Sequence, residues 1–355
     1  MIYYFGFFLV LGILQIVKIF RIPNKIKNIV IMVLAGLITI LFQGFRAPTV
    51  GIDLTAYLPA YEKFKSFSIL DALKGKTLYG FEWGYAVYNV ILGKLGCSEQ
   101  LFLIITSAVI NIPVLYTIYK CEKDMPLMVY FLYLTTGIFA FNFSGLRQSI
   151  AISITFLSFL CVKNKHIIRF LISVFIAFLF HKTAIIFIVA YPAYNIYINK
   201  KLYIMLLLIM TLFVLTFNKQ IVELAYLLMK GSKPEIRNTN AYGFFIGLLA
   251  VWLFVILTYK RMNLKEKDEL FRLSKLLAIA ILIQALAPVH NHISRLGYYY
   301  IIYLIFIAVP YLKCFKDRPL RITMIIILIC VMLLYFYYSN SGNVLRLFPY
   351  KFFWD

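Results

Sequence analysis

Long apolar runs separated by short polar connections extend along the whole chain. A transmembrane helix needs roughly 17 to 25 mostly apolar residues, because each residue rises about 1.5 Å and the hydrocarbon of a bilayer is about 30 Å thick. The runs predict an all-α polytopic membrane protein with about 12 transmembrane helices. These cover residues 1–17, 28–45, 100–119, 126–142, 146–162, 167–181, 183–198, 202–217, 241–259, 273–289, 297–312 and 322–338.

A shorter apolar run at residues 83–95 decides the topology. It is too short to cross, so we predict a re-entrant or amphipathic helix within an outer loop at residues 46–99. Lys and Arg then fall in every second connection, as expected of cytoplasmic loops. Those connections are residues 18–27, 120–125, 163–169, 199–201, 260–275 and 313–321. The pattern predicts one membrane domain over residues 1–355, both termini outside, and a second outer loop at 218–240.

Composition supports this class of protein. The chain has 355 residues, of which 63% are hydrophobic and 14% charged, and this usage excludes an ordinary soluble domain. The net charge of +22 is explained by cytoplasmic loops and anionic lipids, so we expect no nucleic-acid partner. The five cysteines form no C-x-x-C pair and no nucleotide-binding motif is present, so we expect no metal and no cofactor.

Polar side chains that topology does not explain fall in the first predicted outer loop and at the outer ends and turns of the predicted helices. They are Arg46, Asp53, Tyr57, Glu82, Arg147, Gln148, His181, Lys182, His290, His292, Arg295 and Tyr298. Basic residues are disfavoured in short outer turns, yet Arg147, Lys182 and Arg295 occupy such turns. A guanidinium offers a planar fork of donors to paired phosphate oxygens, and Arg147 begins a helix, where the dipole also attracts an anion. The group therefore predicts a site for a lipid-linked pyrophosphate.

Each of these residues also has a simpler interpretation. An Arg or Lys near a helix end can extend to the lipid headgroups, and a tyrosine near an interface is typical of the aromatic belt. A single histidine at a membrane edge is more often a structural hydrogen-bonding residue than a catalyst, and Glu82 could be solvated in its loop. The joint pattern at one face favours the binding site over these readings.

Five segments in the same order resemble the EpsG-like family of exopolysaccharide and O-antigen polymerases of the Wzy type. They are residues 44–64, 81–91, 141–159, 180–188 and 348–353. The Gly-x-Asp-x-x-x-Tyr element is matched by Gly51, Asp53 and Tyr57. The Asn-x-x-Arg-Gln element is matched by Asn142, Arg147 and Gln148 with a slightly longer Asn-to-Arg spacing.

The resemblance implies a GT-C-like glycosyltransferase in the bacterial inner membrane, with its active site facing the periplasm or cell exterior. Such enzymes join oligosaccharide repeat units carried on undecaprenyl pyrophosphate into O-antigen, capsule or exopolysaccharide. It further implies an inverting, metal-independent reaction, with membrane lipids and a chain-length regulator as partners.

The chemistry of that reaction suggests roles for the residues. Arg147 would stabilise the leaving pyrophosphate, assisted by Arg295 and Arg46. Glu82 and His181 are the first candidates for the base that accepts the proton of the acceptor hydroxyl, with Asp53 third. A carboxylate would need a pKa raised by partial burial. The other residues of the predicted substrate-binding group are Tyr57, Gln148, Lys182, His290, His292 and Tyr298.

Two other functions fit part of the pattern. A flippase for lipid-linked oligosaccharides would also need arginines for pyrophosphate, but should carry charge at the central depth of several helices. A membrane acyltransferase that modifies surface glycans would need a histidine-centred site, for which His181 with His290 or His292 could serve. The ordered family segments favour the polymerase.

Overall fold

The structure, a computed structural model, describes residues 1–20, 23–230 and 242–355. The regular secondary structure of these residues is helical. They form no β-sheet, and one isolated antiparallel bridge joins Arg46 to Phe352. The first nine helices are α1 (Ile2–Ile13), α2 (Asn24–Gly44), α3 (Leu54–Lys65), α4 (Ile69–Leu73), α5 (Trp83–Lys94), α6 (Glu99–Cys121), α7 (Pro126–Thr135), α8 (Gly137–Phe141) and α9 (Leu146–Lys163). The other nine are α10 (Ile167–Phe180), α11 (Ala190–Asn195), α12 (Lys200–Thr216), α13 (Asn218–Lys230), α14 (Gly243–Thr258), α15 (Leu264–Gln284), α16 (Tyr298–Ile301), α17 (Ala308–Cys314) and α18 (Arg318–Ser341).

Six described segments are long and apolar enough to cross a membrane. They are Asn24–Gly44, Glu99–Cys121, Leu146–Lys163, Gly243–Arg261, His292–Cys314 and Arg318–Ser341. A seventh is added if α12 and Asn218–Leu227, which meet at a bend of 76°, count as one span. The all-helical membrane fold is thus confirmed, whereas the count of 12 crossings and their orientation stay predictions.

Several predicted crossings are shorter or broken. The run at 126–142 is divided at Thr136 into α7 and α8, and the run at 183–198 begins as a 3-10 helix over Lys182–Val189 before α11. In the predicted second outer loop, residues 218–230 form α13, and residues 231–240 lie outside the described residues.

The chain divides into two compact units, which are described separately. The first comprises Met1–Cys161, Ile168–Ile185 and Phe315–Asp355, and the second comprises Val162–Ile167 and Ile186–Cys314. In the first unit, α2 packs along α6 and α3 packs on α5. In the second, α15 is central and contacts α11, α12 and α14.

The predicted outer loop at residues 46–99 is a folded group of three helices. α5 is 12 residues long, about 18 Å, which is too short to cross the hydrocarbon. The helices α3 and α5 share an apolar core with α6. Within it, the Tyr61 ring stacks on Phe102 with centroids 4.3 Å apart, and the Tyr61 hydroxyl donates to the Cys97 carbonyl over 2.8 Å. This packing joins α3 to α6, and α5 packs on α3 in the same core.

The C-terminal segment returns to the loop that follows α2. The backbone N–H of Ala47 donates to the Lys351 carbonyl over 2.9 Å, and that of Gly51 donates to the Arg346 carbonyl over 3.0 Å. The Tyr350 ring stacks on Phe42 with centroids 4.5 Å apart. Segment 348–353 of the family resemblance therefore fixes the loop that carries the Gly51 element.

Gly51 occupies a position that only glycine fits. Its φ is +114°, and an added Cβ would collide with the carbonyl oxygen of Phe143. We expect Gly51→Ala to lower the free energy of unfolding by roughly 1 to 3 kcal/mol, because it adds both backbone strain and a collision. Thermal unfolding of the purified protein in detergent measures this.

Gly75→Ala is the matched control for that substitution. Gly75 also has a positive φ, +89°, but has no atom within 4 Å of an added Cβ. It therefore reports backbone strain alone. An equal loss of stability in the two variants would show that the close approach to Phe143 contributes nothing.

Candidate active site

Glu82 is positioned by a close approach between two helices. It is the N-cap residue of α5, and an added Cβ at Gly84 would lie 2.8 Å from the carbonyl oxygen of Leu179 near the end of α10. Only a residue without a side chain allows α5 to pack so closely there. The approach places Glu82 beside His181, which directly follows α10.

Three side chains from distant parts of the chain meet at this point, and we name them the Glu82 cluster: Glu82, Arg147 and His181. One carboxylate oxygen, Oε2, accepts from Arg147 Nη1 at 2.5 Å, and the other, Oε1, lies 2.9 Å from His181 Nδ1. Oε1 also accepts the backbone N–H of Lys182 at 3.2 Å. The Glu82 side chain is 8% exposed and the other two are each 21% exposed, so the cluster is largely buried and is partly accessible at Arg147 and His181.

Arg147 lies in the first turn of α9, and several groups fix its guanidinium. Its Nε donates to the Tyr57 hydroxyl on α3 over 3.3 Å, and its guanidinium carbon is 4.3 Å from the centroid of the Phe81 ring. No residue in the described part of the chain accepts a hydrogen bond from Nη2. The guanidinium is therefore held in place with one nitrogen available for a ligand.

The charge state of Glu82 follows from its contacts. Burial alone would raise the pKa of its carboxyl, but the hydrogen bond and charge of His181, the charge of Arg147 and the N–H of Lys182 outweigh it and lower the pKa from 4.5 to about 2. Our expectation of a raised pKa was wrong, because the sequence did not reveal these partners. At neutral pH Glu82 is an ionised acceptor and a weak base.

The ionised carboxylate determines which nitrogen of His181 carries a proton. A carboxylate can only accept, so Nδ1 is the donor and Nε2 carries the lone pair of the neutral ring. None of the described residues hydrogen-bonds Nε2. The arrangement can accept a proton at Nε2 while Glu82 stabilises the imidazolium that results.

All three residues of the Glu82 cluster lie in the part of the chain that matches a known protein family. The chain matches the EpsG family over residues 29–352. It belongs to the EpsG family. Membership confirms the resemblance found in the sequence and indicates a membrane protein of the polysaccharide polymerase type. No curated protein and no solved structure matches the chain significantly.

Two residues that support the Glu82 cluster were missed by sequence reasoning. The Phe81 ring supports the guanidinium of Arg147, and Gly84 permits the approach of α5 to α10. Both fall within segment 81–91, which carried the family resemblance, although an apolar ring and a glycine offered no chemical signal of their own.

The other predicted site residues of the first unit differ in their burial and in their contacts with the Glu82 cluster. Tyr57 contacts Arg147 directly, and burial raises the pKa of its hydroxyl, which keeps it protonated. Asp53 is half-buried at the start of α3, one turn before Tyr57. Gln148 is buried on α9, and the side chain of Lys182 is exposed. Binding of substrate by these residues stays a prediction.

Arg46 is placed in the protein interior. It is only 1% exposed, and its guanidinium donates to the carbonyl of Gln43 and, over 3.4 Å, to that of Phe143. These contacts join the end of α2 to the segment before α9. They stabilise the backbone of these two segments. Binding of substrate by Arg46 stays a prediction.

The remaining predicted residues, His290, His292, Arg295 and Tyr298, belong to the second unit. His290 Nδ1 accepts the backbone N–H of His292 over 3.3 Å, and its Nε2 lies 3.1 Å from the Tyr226 hydroxyl. His290 thereby caps the 3-10 helix at Asn291–Gly297. The convergence of these four residues with the Glu82 cluster on one site stays a prediction.

Proposed function

We propose that this EpsG-family protein is a glycosyltransferase that joins oligosaccharide repeat units carried on undecaprenyl pyrophosphate. The proposal includes 12 crossings with both termini outside and an active site at the Glu82 cluster, on the outer side of the bacterial inner membrane. The observation that carries it is the hydrogen-bonded arrangement of Arg147, Glu82 and His181 within a chain of this family.

The reaction uses two groups of opposite function. The bond between the anomeric carbon of the growing glycan and the carrier pyrophosphate breaks, and the anomeric carbon bonds to a hydroxyl oxygen of the incoming lipid-linked unit. Arg147, through Nη2, and the exposed Lys182 stabilise the negative charge that develops on the departing pyrophosphate. The proton of the acceptor hydroxyl passes to His181 Nε2.

Glu82 is a positioning residue in this scheme. With a pKa of about 2, it holds too little affinity for a proton to act as the base near neutral pH. Its carboxylate instead fixes the ring of His181 and the guanidinium of Arg147 at the same time. One buried charge therefore orients both the base and the cation that binds the leaving group.

Polymerisation of purified lipid-linked repeat units tests the proposal. We expect the wild-type protein in detergent to convert undecaprenyl-pyrophosphate-linked units into a ladder of glycan lengths on a gel. The same oligosaccharide on an undecaprenyl monophosphate is the matched control, and it should not act as donor, because the leaving group then lacks the second phosphate. Single units alone with the authentic pyrophosphate substrate would contradict the proposal, and transport across vesicles would then test a flippase.

A further inference from the structure

Tyr79 combines two unusual features three residues before Glu82. Its side chain is 62% exposed, and its φ is +54°, in the left-handed region that non-glycine residues rarely adopt. Gly80, the next residue, also has a positive φ of +67°. A strained backbone that presents a large ring to the outside calls for a functional explanation, since such strain persists where the surroundings fix it.

Contacts to α3 hold the exposed ring in place. Lys63 Nζ donates to the Tyr79 hydroxyl over 2.6 Å and lies 5.2 Å from the centroid of the ring. On its other side, the Tyr79 ring centroid is 6.1 Å from that of Phe81. Phe81 is the ring that supports Arg147. Tyr79 is thus connected to the Glu82 cluster through a single aromatic side chain.

A sugar ring has the chemistry that matches this surface. The C–H faces of a pyranose are apolar and stack on an aromatic ring, while its hydroxyl groups at the rim need hydrogen-bond partners. The Tyr79 ring offers the stacking face, and the Lys63 ammonium offers further N–H donors beside it.

We propose that Tyr79, with Lys63, forms a subsite for a pyranose ring of the glycan beside the Glu82 cluster. This inference rests on the proposed function of the Glu82 cluster and adds a specificity-determining surface to it. An aromatic residue that merely anchors the protein at the lipid interface needs neither a left-handed backbone nor contact with Phe81, the ring that supports Arg147.

The decisive variant is Tyr79→Gly, because glycine adopts a φ of +54° without strain. We expect it to keep the thermal stability of the wild type and to raise the Kd for the free oligosaccharide repeat, without lipid or pyrophosphate, about tenfold by calorimetry. The KM for lipid-linked units should rise similarly, while kcat at saturation stays within about twofold, because binding of this ring is equal in ground and transition states.

Two further variants complete the experiment. Tyr79→Phe keeps the ring and should retain most of the affinity. Tyr197→Gly removes a tyrosine that is 91% exposed in an irregular segment of the second unit, and it should change neither Kd nor KM. Unchanged Kd and KM in Tyr79→Gly would overturn the subsite, as would a loss of kcat without a loss of affinity.

The outcomes also separate this inference from the proposed function. Wild-type protein that binds the free oligosaccharide through Tyr79, yet forms no ladder from lipid-linked units, would support the subsite and contradict the polymerase. A ladder that both wild type and Tyr79→Gly form with the same KM, together with an unchanged Kd for the free oligosaccharide, would support the polymerase and overturn the subsite.

Discussion

Arg147→Ala should lower kcat for polymerisation by roughly 100- to 1,000-fold, the effect of removing one preorganised group that stabilises developing charge. The guanidinium is fixed by Glu82 and Tyr57 before substrate arrives, so no reorganisation is needed when the pyrophosphate departs. The ladder of glycan lengths should collapse to single units. Arg147→Lys keeps the positive charge but lacks the planar fork of donors. Its kcat should therefore lie between that of the wild type and that of Arg147→Ala.

The controls for this prediction separate chemistry from folding. Arg147→Ala leaves the Glu82 carboxylate without one of its partners, so thermal unfolding must show that the variant remains folded. Arg169→Ala removes an exposed arginine near the start of α10, and its ladder should match that of the wild type. An unchanged ladder in a folded Arg147→Ala protein would limit Arg147 to a structural role as the ion-pair partner of Glu82.

His181→Ala should lower kcat by about 100- to 10,000-fold, the usual contribution of a general base. Its Nδ1 is bound to Glu82 and its Nε2 has no partner among the described residues, which is the arrangement a base requires. His166→Ala, which removes an exposed histidine before α10, is the matched control and should be fully active. Initial rates at saturating lipid-linked substrate measure the effect.

A Glu82→Gln variant tests the positioning role of Glu82. The amide cannot supply the negative charge that stabilises the imidazolium formed when His181 Nε2 accepts the proton of the acceptor hydroxyl. We therefore expect kcat to decrease while the protein stays folded, and an unchanged kcat would contradict the coupling of Glu82 to His181.

The sequence predicted much of the fold because lipid imposes strong constraints on composition. Long apolar runs identified α2, α6, α9, α14 and α18. The run at 126–142 was taken as one helix, since hydropathy does not register a break at Thr136. The number of crossings depends on such breaks and on short helices such as α10, which composition alone does not resolve.

The candidate site was predictable as a set of residue types and unpredictable as a geometry. Glu82 was selected as a polar residue of the first predicted outer loop, and Arg147 and His181 as polar residues at the outer ends of predicted helices, and the structure brings these three together. Their pairing determines the pKa of Glu82, which is lowered and not raised as a carboxylate base would require. Arg46 looked equivalent to Arg147 in sequence, and only packing shows that it is buried.

The return of the C-terminal segment to the loop after α2 has a consequence for synthesis on the ribosome. The hydrogen bond from the Tyr350 hydroxyl to the Phe42 carbonyl joins residues 308 positions apart. At a synthesis rate of 5 to 20 residues per second, Tyr350 is added roughly 15 to 60 s after Phe42. During that interval the N–H groups of Ala47 and Gly51 lack their native acceptors. The loop after α2 is therefore expected to reach its native conformation only after residues 346–351 have been synthesised.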